Sequence, residues 1–368
     1  GYEEGDFAMV MGSPGSTSRY LPSWGVKQRM EAENKVRIKV REKKLNIMDK
    51  AMNKSDTIRI QYASKYSRSS NYYKYSIGQN RQLKNLDVIE QKQALEEELF
   101  KWIAEKPSRQ EKYGETLPML KTAFNNLDNY ERFRNYFYEA VVRGPEVLLF
   151  AYRTYDILEK LQNNDEEGLQ EVIKNHRERG KDFFKDYHQP LDKEIFVALL
   201  NIYREEVGDK YSPTVFETIK KQYNNSIEAY ADSLYDASIF VSEKRFMNFL
   251  DNPGTEALRN DLAFRMISSF IGLNSVHYQM NRTQMMNKSK GMRQLMQALQ
   301  KMKADKHFYP DANSTMRLTY GTVESYSPKD AVRYDYYTTL EGVMQKKAPN
   351  DKEFRVPMKL EWLYEDKD

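Results

Sequence analysis

The sequence predicts a mainly α protein, a helical domain set between short β segments, and three observations predict it. From Glu31 to about Met302, apolar residues recur at helical spacing almost throughout. Runs of strand character stand on either side, Phe7-Ala8-Met9-Val10-Met11 before and Met316-Arg317-Leu318-Thr319-Tyr320-Gly321-Thr322-Val323 after. Most loops are short, which favours antiparallel neighbours, and no fixed repeat period marks a solenoid.

Composition narrows the function. The 368 residues leave room for two or more domains with ample core. A content of 40% hydrophobic and 30% charged residues is that of a globular chain, while 13% aromatic, including 27 tyrosines, is high. Tyrosine suits helix interiors and amphipathic clefts, because its ring packs while its hydroxyl finds water or an acceptor. The 58 basic and 54 acidic residues nearly balance, at a net +4, which argues against a dedicated nucleic-acid binder. There is no apolar run of membrane-spanning length and no signal-peptide pattern. With no cysteine, disulfides, thiolate metal sites and cysteine nucleophiles are excluded within these residues. The chain opens mid-pattern at Gly1-Tyr2-Glu3 without an initiator methionine, and reads as a piece of a longer protein.

In chain order, the apolar run Phe7–Met11 reads as a buried strand entering a tight turn at Gly12-Ser13-Pro14-Gly15. A phosphate loop is ruled out, since the Gly-Lys-Ser/Thr ending is missing and Pro14 removes a backbone donor. There is no Gly-x-Ser-x-Gly elbow either. Val36, Val40, Ile47 and Ala51 then mark an apolar helical stripe, with Leu45, Met48 and Met52 beside it. Lys35, Arg37, Lys39, Arg41, Lys43 and Lys44 are read as its solvated face, or one docked on an acidic neighbour.

Further helices are expected near 83–105, ended by Pro107, and near 117–143, ended by Gly144-Pro145. Others follow near 147–162, 166–187, 191–206, 214–235 and 242–250, and from Thr255 to about Lys306. The last carries Met280, Met285, Met286, Met292, Met296 and Met302, read as core filling.

The most informative stretch is Gln61–Asn80, where Tyr62, Tyr66, Tyr72, Tyr73 and Tyr75 surround Ser69-Ser70-Asn71. Tyr62, Tyr66, Tyr73 and Ile77 recur at helical spacing, and Asn71 falls almost opposite Tyr73 on the wheel. The spacing is consistent with an aromatic-faced helix having Asn71 at a kink or turn. It also allows an amide oxygen placed to accept a hydrogen bond from a cationic ligand.

Three segments resemble one family in its own order: Gly5-Asp6-Phe7-Ala8-Met9-Val10-Met11-Gly12-Ser13-Pro14-Gly15-Ser16-Thr17-Ser18-Arg19-Tyr20, the Ser-Ser-Asn-Tyr stretch, and Asp311-Ala312-Asn313-Ser314-Thr315-Met316-Arg317-Leu318-Thr319-Tyr320-Gly321. Tyr336–Val343 and Phe354–Pro357 continue the match. The chain resembles the bacterial serine dipeptidyl peptidases, the family of dipeptidyl peptidases 7 and 11. The resemblance implies a chymotrypsin-like double β-barrel with an inserted helical domain. Residues 1–30 would then end the first barrel, 31–309 would be the helical lid, and 310–368 would return into the second barrel. Asn71 would help hold the free amino terminus of a peptide substrate, with Tyr72 and Tyr73 as candidate cleft-lining residues. Asp6 matches a non-catalytic copy of the family's Gly-Asp-Phe and takes no catalytic role.

The four histidines, His176, His188, His277 and His307, show no nucleophile–base or zinc-type spacing and read as surface or packing residues. By resemblance, the catalytic histidine and aspartate precede Gly1 and the serine follows Asp368, so this stretch alone is expected to be inert. No metal and no cofactor is expected. The implied partners are peptides with a free N-terminus, without nucleic acid, and a homodimer is compatible with the resemblance. The implied location is the periplasm or cell surface of a Gram-negative bacterium. The alternative is a stand-alone helical scaffold binding protein or nucleic acid through its basic and methionine-rich faces.

Overall fold

The computed structural model describes residues 1–351 and 354–366, which fall into two compact units. Tyr20–His307 forms the helical unit; Gly1–Arg19 and Phe308–Asp368 together form the other. The helical unit thus interrupts the other in sequence. It begins earlier than residue 31, because the extended Pro22 is already the N-cap of a helix starting at Ser23.

That helix, α1 (Ser23–Gln28), runs through a π-helical turn at Arg29–Asn34 into α2 (Lys35–Lys54). Ser55 then breaks the helix in an extended conformation, and its hydroxyl caps α3 (Asp56–Asn85) by accepting from the Ile58 N–H. α3 is one continuous helix of 30 residues, so Asn71 sits at neither a kink nor a turn. Asp87, at φ 47°, separates it from α4 (Val88–Ala104), which α5 (Pro107–Tyr113) follows with proline in its first turn.

α6 (Thr116–Tyr136) continues through a second π-helical turn, Phe137–Val142, to the break at Gly144-Pro145. The helix expected near 147–162 is two helices, α7 (Glu146–Tyr152) and α8 (Tyr155–Gln162), parted by a turn at Arg153-Thr154. α9 (Glu166–Lys185) and α10 (Gln189–Val207) come next. The helix expected near 214–235 also splits, into α11 (Thr214–Gln222) and α12 (Ile227–Ala237). Asn224 and Asn225 take φ of 50° and 60°, a left-handed pair that no α-helix continues through. Ser226 restarts the chain by capping α12 at Ala229 N. α13 (Glu243–Asp251) and α14 (Thr255–Asn260) lead to α15 (Leu262–Met302), 41 residues long and capped by Asp261.

The core is aromatic. Phe133 stacks on Tyr211 at 4.7 Å, and Phe270 meets Tyr203 edge-on at 4.9 Å. A second nest joins Phe150 to Phe183 at 4.0 Å and to Phe246 at 4.7 Å. The methionine stripe of α15 is not core. Met280 and Met286 are exposed, and Met285, Met292, Met296 and Met302 are half-buried. The interior face of that helix is instead Phe264, Met266, Ile267, Phe270, Leu295 and Leu299, the face its period turns toward α6 and α7.

In the other unit, β1 (Phe7–Gly12) pairs antiparallel with β2 (Arg317–Thr322), Phe7 opposite Thr322 and Gly12 opposite Arg317. A hairpin of β3 (Tyr326–Lys329) and β4 (Val332–Tyr334) follows, then α16 (Leu340–Gln345) and α17 (Met358–Glu365). The buried strand expected at Phe7–Met11 is a strand but an exposed one, with Phe7 and Val10 each 68% accessible. Among the described residues β2 is its one partner in the sheet, and a two-stranded ribbon leaves both faces uncovered.

Candidate functional site

α2 and α3 pack along their lengths as an antiparallel hairpin, and the polar contacts across it run in step. Arg41 meets Ser69, Arg37 meets Ser76, and Asn34 meets Gln79 and Asn80. The buried seam of α3 is Tyr62, Ser69 and Ser76, spaced by seven, and not the Tyr62–Tyr66–Tyr73–Ile77 stripe, of which only Tyr62 is fully buried. Serines at the seam leave room for two guanidinium groups, and that room sets the chemistry of the face.

Arg41 donates from Nε to Glu139 Oε2 at 2.7 Å and from Nη2 to Oε1 at 3.3 Å, a forked pair. Its Nη1 donates to the Ser69 carbonyl at 3.3 Å. Arg37 reaches the same carboxylate from Nε at 3.3 Å and donates from Nη1 to Ser76 Oγ at 3.2 Å. Arg143, itself exposed, comes within 3.7 Å of Glu139 Oε1. Glu139 and Arg41 are both buried. Arg37, Arg41 and Lys44 were expected on a solvated face, or one docked on an acidic neighbour. They turn inward because Glu139 and the carbonyls of Arg143 and Gly144, which Lys44 Nζ meets at 2.8 and 2.7 Å, wait there as acceptors. Each π-helical turn contributes one polar member, Asn34 from the first and Glu139 from the second, as π-bulges commonly do where a polar group must be re-aimed.

On its outer side α3 presents Arg68, Asn71, Tyr72 and Tyr75, all exposed at i, i+3, i+4 and i+7. The Asn71 side chain makes no hydrogen bond among the described residues, so its amide is free to take one. Tyr72 lies beside it with its ring over the arginines, 5.1 Å from Arg41 Cζ and 5.9 Å from Arg37 Cζ. Tyr73 turns the other way, half-buried, its hydroxyl 3.4 Å from Glu42 Oε1. Burial first, then the Glu42 carboxylate, hold that phenol above its ordinary pKa. Of the three candidate residues, then, Asn71 and Tyr72 share an exposed face and Tyr73 belongs to the helix contact.

The N-terminal half of α3 is pinned by a second polar network. Lys65 Nζ lies 2.6 Å from Glu146 Oε2 and 4.2 Å from the Tyr62 ring centre, and the Tyr62 hydroxyl accepts from His188 N at 3.2 Å. Behind it the buried Asp192 accepts from Glu146 N, Val147 N, Tyr187 and Tyr235. Glu146 and Val147 open α7, so a carboxylate sits at that helix's N-terminus.

The histidines stand apart. His176 Nε2 pairs with Asp156 Oδ1 at 2.8 Å, but its Nδ1 is buried without a partner, so no hydroxyl is there to activate. His188 Nδ1 caps α10 at Leu191 N, and His277 Nε2 faces the Lys210 carbonyl between the rings of Phe133 and Tyr211. His307 is exposed and unpartnered among the described residues. Among the described residues no group of acidic or histidine side chains could hold a metal, and no helix is long and apolar enough to cross a membrane.

The sequence reading took Arg37 and Arg41 only as members of a basic face and passed over Glu139. One signal was available: Glu139 is the lone acid inside Phe137-Tyr138-Glu139-Ala140-Val141-Val142, where a carboxylate needs a cationic partner.

A β-containing unit interrupted in sequence by a helical unit is an architecture shared with known peptidases. The model of the peptidase S46 family matches residues 1–368, and the chain belongs to that family. It is 37% identical over 371 residues to dipeptidyl-peptidase 7 of Porphyromonas endodontalis, covering all of this chain and 44% of that protein. It is 32% identical to the Asp/Glu-specific dipeptidyl-peptidase of Flavobacterium psychrophilum, covering all of this chain and 51% of that one. The crystal structure of Porphyromonas endodontalis DPP11 with the dipeptide Arg-Glu matches with a TM-score of 0.83 at 29% identity, over all of this chain and 52% of that one. The chain spans about half the length of the relatives it matches.

Proposed function

We propose that the helical unit is the substrate-gripping cap of a serine dipeptidyl peptidase, and that Asn71 accepts a hydrogen bond from the free ammonium of the bound peptide. The carrying observation is the Asn71 amide, exposed and unpartnered among the described residues, beside Tyr72 and one turn before Tyr75 on a helix anchored from within. An enzyme that releases dipeptides must hold the amino terminus at a fixed distance from its nucleophile, so that only the second peptide bond is placed for attack. A neutral acceptor on a rigid helix is suited to that measuring role. Three ammonium donors need three acceptors, and an unpaired desolvated ammonium is costly, so other groups complete the site.

In this reading the catalytic serine, histidine and aspartate lie outside these residues, and the helical and β-ribbon residues alone cleave nothing. The exposed apolar side chains of β1 and β2 would be covered by further strands of a barrel. The relatives named as dipeptidyl-peptidases, and the dipeptide bound to DPP11, support the substrate class.

The test is Asn71→Ala in the full-length protein, assayed on a chromogenic dipeptidyl substrate. A fall in kcat/KM of roughly 10–100-fold is expected, from ~1.5–3 kcal/mol for a charge-assisted bond. Unchanged kinetics would remove Asn71 from the site.

A further inference from the structure

We infer that the buried Arg41–Glu139 pair, backed by Arg37, is a positioning device for substrate: it fixes the Tyr72 ring and, through it, the exposed face of α3 that carries Asn71. The inference rests on the reading of Asn71 given above.

Three features carry it. The first is directness. Arg41 touches both the carboxylate that holds it and the residue it holds, with its guanidinium forked onto Glu139 and 5.1 Å from the Tyr72 ring centre. A cation at that distance over a tyrosine face is attracted to it, more so when desolvated, and Arg41 is buried. The second is redundancy along α3. Arg41 grips the Ser69 carbonyl and Arg37 grips the Ser76 hydroxyl, one on either side of Asn71 and Tyr72, so the two turns between cannot shift or roll independently. The third is cost. Two guanidinium groups taken from water against one carboxylate are weak evidence for stability, because well-packed apolar residues often do as well. Such a pair does supply geometry, and the geometry here ends at an exposed aromatic ring beside an unpartnered amide.

Tyr72 also separates charges. The guanidinium carbons of Arg41 and Arg37 lie 5.1 and 5.9 Å from its ring centre, and 47% of the residue remains accessible. The ring therefore keeps the guanidinium groups from direct contact with whatever binds outside it, which matters if that ligand is itself a cation.

Arg41, Arg37 and Glu139 are positioning residues, since none is among the exposed groups of the α3 face. Lysine at 41 would keep the charge but lose the fork and the flat cation over the ring.

The experiment uses the full-length protein in a cysteine-free background. Its reference is Arg68→Cys carrying a nitroxide label, one turn before Asn71. The test variant adds Arg41→Met with Glu139→Leu, which removes both members of the pair together and leaves Arg37 its bond to Ser76 Oγ. Arg41→Lys and Asn71→Ala are run beside it. The expected result is a more mobile label in the double variant, with KM for a dipeptidyl substrate raised about 10-fold and kcat changed less than about threefold. Arg41→Lys should fall between wild type and the double variant in both. A label spectrum and KM matching wild type in the double variant would overturn the inference. So would a mobile label with normal KM while Asn71→Ala is impaired. If Asn71→Ala is itself unimpaired, the peptide-binding reading fails separately, and the label alone decides whether the pair fixes this face.

Discussion

Thr17 donates its hydroxyl to Asp311 at 2.7 Å, joining two residues 294 positions apart in the chain. The same carboxylate oxygen accepts from Arg19 N at 2.8 Å, and Thr17 Oγ1 in turn accepts from Ala312 N at 2.9 Å. Ser314 N donates to the Pro14 carbonyl, and from there the β1–β2 ladder carries the pairing to Gly5 N and Val323 O. The strand that leads in sequence to the helical unit and the strand that follows it are therefore zipped together, and Asp311 is the clasp at the end of the ladder beyond Gly12 and Arg317.

Asp311→Ala should loosen that clasp without unfolding the helical unit. Three donors lose their acceptor or its support, all near the surface, so the loss is about 1–2 kcal/mol. Hydrogen exchange should show faster exchange at Arg19 and Ala312, while amides in the interior of α6 and α10 keep their protection. Uniform loss of protection across both units would contradict this assignment.

Asp192 is expected to matter more. It is fully buried and takes four donors. An amide at this position turns an N–H₂ toward one group of donors, so Asp192→Asn should cost roughly 1–3 kcal/mol in denaturant unfolding. The carboxyl also gives stability a pH slope. Burial, with the neighbouring Glu146 carboxylate adding to it, pushes the Asp192 pKa up to about 6, against the pull of the backbone donors and Tyr235. The unfolded chain holds this proton only below about pH 4. The folded state thus binds it more readily, and the stability it adds is full below pH 4 and lost as pH rises through about 6. Wild type should lose on the order of 1 kcal/mol relative to Asp192→Asn between pH 5 and 7. A stability difference that is flat with pH would refute the assignment.

Much of the helical unit was legible because its signals are local. Pro107 and Gly144-Pro145 both lie where helices were expected to end, and the strands at both ends show in short apolar or alternating runs. The breaks that escaped carry no proline. Arg153-Thr154 has no strong signal, and Asn224-Asn225 act through left-handed φ, which asparagine tolerates but does not announce. The inward turn of Arg37 and Arg41 was illegible for another reason. A charge on a helix wheel is assigned to solvent unless its partner is known, and Glu139 is about a hundred residues away. Asn71 was singled out by resemblance alone; spacing placed it opposite Tyr73 and left its role open.

Gly291 tests the packing of the longest helix. A Cβ built on it would lie 2.7 Å from Leu120 Cγ and 2.8 Å from its Cδ2, so α15 approaches α6 here as only glycine allows. Gly291→Ala gains helix propensity of about 1 kcal/mol, but it forces Leu120 out of a fully buried position, and overpacking typically costs about 1–3 kcal/mol. Net destabilisation is expected, larger for Gly291→Val, and Leu120→Ala should relieve part of it in a double-mutant cycle. Additive effects would show that the two side chains do not meet.

The acceptor role proposed for Asn71 separates from mere bulk by comparing Asn71→Leu with Asn71→Asp. Leucine matches asparagine in size and accepts nothing, whereas aspartate keeps an acceptor and adds charge. A free amino terminus is charged at neutral pH and an acetylated one is not, so the ratio of kcat/KM for the free peptide to that for its acetylated form reads the grip on the ammonium. In the full-length protein Asn71→Leu should shrink that ratio by about 10-fold or more, with Asn71→Asp shrinking it less. Lowering the pH through the ordinary aspartate range, near 4, should then weaken the aspartate variant selectively, because protonation removes its charge and leaves only a neutral carbonyl oxygen to accept. Equal ratios in leucine, aspartate and wild-type proteins would mean that the amide on this face contributes shape and no hydrogen bond, and the ammonium would have to be held entirely by groups beyond α3.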